Sequence, residues 1–462
     1  MNNSVFRLIK NIKKEEFLET YSNEIVSELI KEKKINGYKI IEERRFFKKI
    51  LQDDLLESVY KKILPSLILE HEVIEFPSYP YEWSSLMLIN AAELTLDISE
   101  RLLDFGYILK DATPFNILFR GTLPILVDLT SIEKRDINDP LWLAYSQFIR
   151  TFLFPLFLNK KSKIQMNNFF MINKEGFEIK DCLKFCNLFD GFSTKYIWIP
   201  YLIEKFASKI SKDFHSKKRS FSPEVSKIIL KSLYKKCKRA LIKLQPSKKK
   251  SFWASYMKNL NHYSDEQFNF KKIFVENILK NCYAKVLDIG CNDGFFSILA
   301  AKYKSNVVAI DNDSCVIDEL WKNAKEMELN ILPLNVNICR PTPAIGWKNS
   351  ECLSFLERSR NYFDLVMMLA VFHHMLVTDG IPVEEISREI AKITKKHLLI
   401  EYVDPKDEMF KKMVRGRESL YINISLKFFI KTFEKYFIVE KCVQIPNSNR
   451  WLFKMIKKDE EK

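Results

Sequence analysis

Residues 285–302 read KVLDIGCNDGFFSILAAK, and this stretch decides the fold. The apolar run Lys285 to Ile289 has the composition of a buried strand, a turn holding Gly290 and Gly294 follows, and an amphipathic run continues as a helix. Strand, glycine turn and helix in that order bring backbone close to a nucleotide-like ligand at the carboxyl end of the first strand. The glycines do not keep the G-x-G-x-x-G spacing of a dinucleotide site. Asp288 stands immediately before the turn and Asn292 within it, and a carboxylate at that point suits a cationic amino group better than a pyrophosphate.

Working outward, strand-like runs alternate with helix-length segments at Val307 to Ile310, Ile331 to Leu334, Phe363 to Leu369 and Leu398 to Tyr402. Such alternation predicts an α/β domain with a mostly parallel, doubly wound, Rossmann-like sheet. Asp311, followed by Asn312, ends the second of these strands, where an acid accepts hydrogen bonds from both hydroxyls of a ribose. The third strand leads into LPLNVNICRPTPAIGW, which puts Asn337, or the backbone around Val336, where an adenine ring would sit. The asparagine carbonyl accepts a hydrogen bond from an exocyclic amine. Together, Asp288, Gly290, Gly294 and Asp311 resemble the cofactor-binding motifs of class I methyltransferases. That resemblance implies S-adenosylmethionine as the methyl donor.

The fourth strand, FDLVMMLAVFHH, delivers His373 and His374 to the carboxyl edge of the sheet. A histidine there takes a proton from a hydroxyl nucleophile near neutral pH, or else caps the strand. Glu401, at the end of the fifth strand in LLIEYVDPKD, is a second candidate base, a partner for a substrate hydroxyl, or a group that holds a histidine in place. Ahead of the first strand, NHYSDEQFNFKKIFVENIL reads as a helix. It sets Tyr263 and Lys271 or Lys272 near the cofactor mouth, unless it is a plain packing helix.

The N-terminal half carries a different pattern. In GYILKDATPFNILFRGTLPILVDLTSI, Asp111 is followed by Asn116 and, after a strand-turn-strand, by Asp128. This spacing is similar to that of protein-kinase-like folds, and the similarity implies an α+β domain. In an active kinase Asp111 would take the acceptor's proton, and Asn116 and Asp128 would hold magnesium on the phosphates of ATP. Gly37 is the only glycine in the first 100 residues, so no glycine-rich phosphate loop is visible. Lys39, Lys48 and Lys49 are candidate phosphate-pairing lysines. ILEHEVIEFPSYPYEWS reads as paired strands leading to a hinge anchored by Tyr81, Glu82 and Trp83, and residues 90–235 read as mainly helical.

The chain's 462 residues exceed what one core of about 250–300 residues serves. The expected division is a kinase-like domain over residues 1–235, a basic linker over 236–255 and the methyltransferase domain over 256–462. The lysine-dense Lys231 to Ser251 run, broken at Pro246, reads as a linker or an exposed connecting helix and marks the seam. A net charge of +15 favours an anionic partner, but no stripe interleaves basic and aromatic residues, so nucleic acid is not expected. No apolar run reaches the ~20 residues of a membrane span, and MNNSVFRLIKNIKKEE turns charged too early for a signal peptide. A cytoplasmic protein is expected, with a peripheral position at the inner face of the membrane as an extension of that reading. Nine cysteines without a CxxC pair or a Cys/His cluster indicate neither zinc nor a disulfide framework.

The order LKDATPFNILF, DPLWLAYSQFIRTFL, LDIGCNDGFFS, PTPAIGW, VFHH resembles a bacterial family of class I methyltransferases with a kinase-like N-terminal region, described as nodulation-protein-like and associated with surface polysaccharides. The resemblance implies methylation of a glycan or phosphoglycan acceptor, with the kinase-like half binding the acceptor. Its alternative is a bifunctional enzyme that phosphorylates and then methylates the acceptor, and a third reading is a non-catalytic scaffold.

Overall fold

Lys285–Ile289 is a strand in which every residue after the first is buried, as expected for a strand covered on both faces. It is an inner strand, third in order, of a seven-stranded sheet. The computed structural model describes residues 4–10, 13–42, 46, 54–63, 65–162, 164–185, 195–196, 221–246 and 263–459. Contacts divide the chain into two units: Met1–Pro80 with Ser85–Ser247, and Tyr81–Ser84 with Lys248–Lys462. The short stretch expected to anchor a hinge in the N-terminal half thus belongs to the second unit.

In the first unit, β1 (Val5–Ile9) and β2 (Tyr38–Ile41) both pair antiparallel with β3 (Leu67–His71). Helices α1 (Lys14–Tyr21) and α2 (Glu24–Lys31) lie between β1 and β2 in the chain, and α3 (Asp54–Ile63) precedes β3. The long helix α4 (Ser85–Asp104) is buried along most of its length. After it come two short antiparallel pairs, β4 (Tyr107–Leu109) with β7 (Ile132–Lys134) and β5 (Ile117–Arg120) with β6 (Leu123–Leu126). The β5–β6 pair is the strand-turn-strand expected between Asn116 and Asp128, and helices outweigh the four short strands in the described part of residues 90–235.

The basic run is not a linker where it is described. Residues Pro223–Leu244 form α5, which buries Leu230, Tyr234, Cys237, Leu241 and Leu244 at alternating steps of three and four, the spacing of one helix face. Lys227 and Lys231 pair with Asp104, and Lys238 with Glu100, both on α4. The remainder of the expected linker, 247–255, lies outside the described residues, as do Lys48 and Lys49.

The second unit opens with α6 (Asp265–Leu279), whose start is fixed by a capping box between Ser264 and Gln267. Then follow β8 (Lys285–Ile289), α7 (Phe295–Lys302), β9 (Asn306–Asp311), α8 (Ser314–Glu326), β10 (Ile331–Asn335), α9 (Phe355–Ser359), β11 (Phe363–Met368), α10 (Phe372–Val377), α11 (Val383–Ile393), β12 (Thr394–Val403), α12 (Glu408–Val414), α13 (Leu426–Phe433), β13 (Phe437–Gln444) and β14 (Arg450–Lys457). The sheet order is β10-β9-β8-β11-β12-β14-β13. The five strands from β10 to β12 run parallel, and β14 is antiparallel to both its neighbours. Winding reverses between β8 and β11, so their carboxyl ends form the topological switch point where ligands bind in open α/β sheets.

Among the described residues, no helix is long and apolar enough to cross a membrane. No group of three or more His, Cys, Asp and Glu side chains there could hold a metal ion.

Candidate active site

A cavity of about 770 Å³ opens at that switch point. After β8 the chain must turn sharply to start α7, and it does so with Gly290 at φ +68°, Asn292 at φ +49° and Gly294 at φ +82°. A side chain at Gly290 would place its Cβ 2.4 Å from Val371 Cγ2, so the close approach of the two strand ends depends on this glycine.

The cavity is lined by Asp288, Gly290, Asn292, Asp311, Asn312, Val336 and Asn337, among others. These are seven of the eight residues expected to bind a cofactor. Gly294, the eighth, is not in the wall: it begins α7 and abuts Leu320, where a Cβ would lie 2.2 Å from Cδ1. Asp311 Oδ2 accepts the Asn292 amide at 3.1 Å and Oδ1 the Asp313 amide at 3.0 Å, which fixes its carboxylate at the strand end. Asn292 Oδ1 is buried with no hydrogen-bond partner among the described residues, an acceptor that a ligand donor would satisfy. Burial pushes the Asp288 carboxyl up to about 7, against the pull of the Ser297 hydroxyl 2.6 Å away and of Lys271.

The cavity is also lined by Tyr263, Lys271, His373, His374, Met409, Lys412 and Arg450. His373 is only 4% exposed. Burial, then the nearby His374, Arg450 and Lys271, holds its imidazole well below the usual histidine range, and hence neutral. Its Nδ1 has no hydrogen-bond partner among the described residues. His374, with its ring 4.3 Å from that of His373, is likewise lowered by burial and Arg450.

Glu401 does not reach the cavity. It is fully buried, accepts the Lys271 ammonium at 2.6 Å and the Tyr263 hydroxyl, and lies 3.5 Å from Arg450. With both oxygens engaged by these donors it is not placed as a base, and no hydrogen bond to a histidine is found for it among the described residues. Its role is to hold Lys271, Tyr263 and Arg450. Of the lysine pair, Lys271 lines the cavity, its ammonium over the Tyr263 and Phe296 rings at 5.0 and 5.3 Å, and Lys272 does not.

Arg450 escaped the sequence reading. It lies opposite Val403 in the antiparallel β12–β14 register, and Val403 shares a face with Glu401 because strand side chains alternate. Arg450 then bonds Asp407 through Nε at 2.9 Å and Tyr263 through Nη1 at 2.7 Å. Only the pairing register reveals it. The Met409, Lys412 and Met413 rim, supplied by α12, carries no motif.

In the first unit, the Asn116 carbonyl accepts the Val127 amide at 2.9 Å, which brings Asn116 beside Asp128, while Asp111 follows β4 in the loop. Asp128 Oδ1, however, takes three donors: Arg7 Nη1 at 2.6 Å, Thr130 Oγ1 at 2.8 Å and the Thr130 amide at 3.2 Å. A guanidinium and two further donors leave that oxygen no room to ligate magnesium. Arg7 was not a candidate in the sequence. Lys39, the described member of the three lysines, is exposed on β2.

Residues 287–399 match the family model for a methyltransferase domain. The C-terminal unit is an S-adenosylmethionine-dependent methyltransferase domain. The chain is 29% identical over 394 residues to Nodulation protein NoeA of Rhizobium meliloti (strain 1021), across 84% of this chain and 81% of that one. Among solved structures, N-methyltransferase NodS from Bradyrhizobium japonicum WM9 aligns at 14% identity, covering 43% of this chain and 100% of that chain, with a TM-score of 0.31. The bifunctional kinase-methyltransferase WbdD aligns at 18% identity, covering 42% of this chain and 40% of that chain, with a TM-score of 0.30.

The glycine approach at Gly290, the fixed Asp311 carboxylate and the unsatisfied Asn292 acceptor fit the cofactor of a methyltransferase domain. Asp311 and Asn312 would hold the ribose, Val336 and Asn337 the adenine, and Asp288 the cationic amino end; the bound cofactor supplies an electrophilic methyl group on a sulfonium. His373 and His374 line the same cavity.

Proposed function

We propose that the chain methylates a hydroxyl of a glycan or phosphoglycan acceptor, with His373 receiving the acceptor's proton. The observation that carries this reading is the buried His373 imidazole in the cavity wall, its Nδ1 without a hydrogen-bond partner among the described residues. A neutral imidazole nitrogen without a partner can accept a hydrogen bond from the acceptor hydroxyl; burial makes it a weak base, so it takes the proton only as the oxygen is methylated. In the transfer the acceptor oxygen forms its bond to the methyl carbon as the carbon–sulfur bond breaks, and the hydroxyl proton passes to the imidazole. Much of the rate comes from holding the two reactants in line. The glycan class rests on the family resemblance of the sequence, with the NoeA match in support.

The N-terminal unit is proposed to bind the acceptor rather than to phosphorylate it. The guanidinium of Arg7 on Asp128 supports this part of the reading.

Calorimetric titration with S-adenosylhomocysteine tests the cofactor half of the proposal. Binding by the wild type, weakened at least about tenfold in Asp311→Ala, is the expected result. Absence of binding by the wild type would overturn it. For the acceptor half, radiolabelled methyl incorporation into a bacterial surface-polysaccharide fraction should be lost in His373→Ala while cofactor binding persists.

A further inference from the structure

Thr342 and Arg358 reach the same oxygen of a carboxylate far away in the chain, Glu82 Oε1. Glu82 belongs to the Tyr81–Ser84 stretch that the contacts assign to the second unit. All three residues are buried, and Tyr81 and Trp83 on either side of Glu82 are fully buried as well. The Thr342 hydroxyl donates at 2.6 Å, and the Arg358 guanidinium donates alongside it. Arg358 also donates from Nε to the Leu353 and Ser354 carbonyls at 3.2 and 3.3 Å. A buried carboxylate is thereby neutralised and hydrogen-bonded, the condition under which burying it is tolerable.

What this carboxylate holds is the loop leaving β10. Val336, Asn337, Ile338 and Cys339 line the cavity, in a turn closed by the Cys339 amide on Asn337 Oδ1 at 2.8 Å. Three residues further on lies Thr342, flanked by Pro341 and Pro343. Proline fixes its own φ and restricts the residue before it, so Arg340 through Pro343 transmits a constraint with little slack. From the other side the Phe355 amide, at the start of α9, binds the Thr342 carbonyl at 3.1 Å.

We propose that Glu82 is a positioning residue for the cofactor: through Thr342 and Arg358 it fixes the 336–343 loop against the adenine side of the site. The Tyr81–Ser84 stretch is then a working part of the methyltransferase site. This inference rests on the cofactor reading for its ligand, but the ordering of the loop can be read without any ligand.

The test uses the full chain and four variants, Glu82→Ala, Glu82→Gln, Thr342→Val and the paired Glu82→Met/Arg358→Met, with amide hydrogen exchange over residues 336–346, thermal unfolding and S-adenosylhomocysteine titration. Glu82→Ala should speed exchange in the loop and weaken binding about tenfold. Thr342→Val should do the same to a smaller degree with an unchanged melting temperature. Glu82→Gln, which keeps the acceptor oxygen, should retain most of the affinity. The paired variant removes both charges, so it should regain thermal stability while keeping the fast exchange and weak binding. Recovery of stability, slow exchange and affinity together would reduce Glu82 to a charge partner of Arg358 and overturn the proposal, as would a folded Glu82→Ala with wild-type exchange and affinity. If Glu82→Ala does not fold, Thr342→Val and the paired variant decide. If the wild type binds no S-adenosylhomocysteine, the cofactor reading fails, and loop exchange alone decides the positioning role.

Discussion

Lys271 and Glu401 form an ion pair at 2.6 Å with side chains 5% and 0% exposed, Lys271 in the cavity wall and Glu401 out of its reach. Removing one partner of such a pair leaves an uncompensated buried charge. Lys271→Met should therefore destabilise the protein by about 3 kcal/mol in urea unfolding, at the low end of the usual range because Arg450 remains. Burial works to raise the Glu401 carboxyl, but Lys271 and Arg450 hold it below its ordinary value of 4.5. Its stabilising contribution is present above that value and is lost as pH falls through the depressed one. The stability gap between wild type and variant should close below pH 4.5; a gap that persists in acid would contradict the assignment.

The pH dependence of cofactor binding has the opposite origin. Burial raises Asp288 from 3.8 to about 7, so ionising it costs the folded protein stability as pH rises between those values. A cationic amino group beside it favours the ionised form. Affinity for S-adenosylhomocysteine should fall about tenfold from pH 8 to pH 6, with proton release on binding, and the dependence should be flat in Asp288→Asn. Equal affinities at the two pH values in the wild type would remove Asp288 from the site.

Gly290→Ala adds a Cβ 2.4 Å from Val371 Cγ2 at a φ of +68°. The backbone strain alone is worth about 1–2 kcal/mol, and Val371 stands at the start of α10, which carries His373. Both stability and cofactor affinity should drop. Gly416→Ala, at φ +81° with nothing within 4 Å, is the control that loses stability only. Equal behaviour of the two would mean that the Val371 contact is unimportant.

Titration of the wild type with ATP and magnesium should give no binding, because Arg7 takes up Asp128 Oδ1. Magnesium-dependent binding that disappears in Asp128→Ala would restore phosphoryl transfer as an activity of the N-terminal unit.

The parallel strands were legible because five apolar runs, each ending in a polar or turn residue, repeat at the spacing of a βα unit; Lys285 to Ile289 coincides with the observed strand. The expected cofactor residues were legible for the same reason, since Asp288 and Asp311 sit where successive parallel strands end. The distant pairings were less so. Arg450 joins Glu401 through antiparallel register, Arg7 meets Asp128 across 121 positions and Arg358 meets Glu82 across 276, and nothing local announces such partners. The helix Pro223–Leu244 is a different failure. Its lysines drew attention as a charged connector, although the apolar residues from Leu230 to Leu244 already marked a buried face.

The order of synthesis follows from the same distant pairing. Glu82 leaves the ribosome 276 residues before Arg358, which at about 5–20 residues per second is a delay on the order of tens of seconds. Throughout that interval Glu82, fully buried in the finished protein, has neither the Arg358 guanidinium nor the Thr342 hydroxyl that it meets there. The C-terminal unit is thus completed by a stretch translated long before it, and a nascent chain held at any length short of Arg358 carries that carboxylate without the guanidinium it will meet.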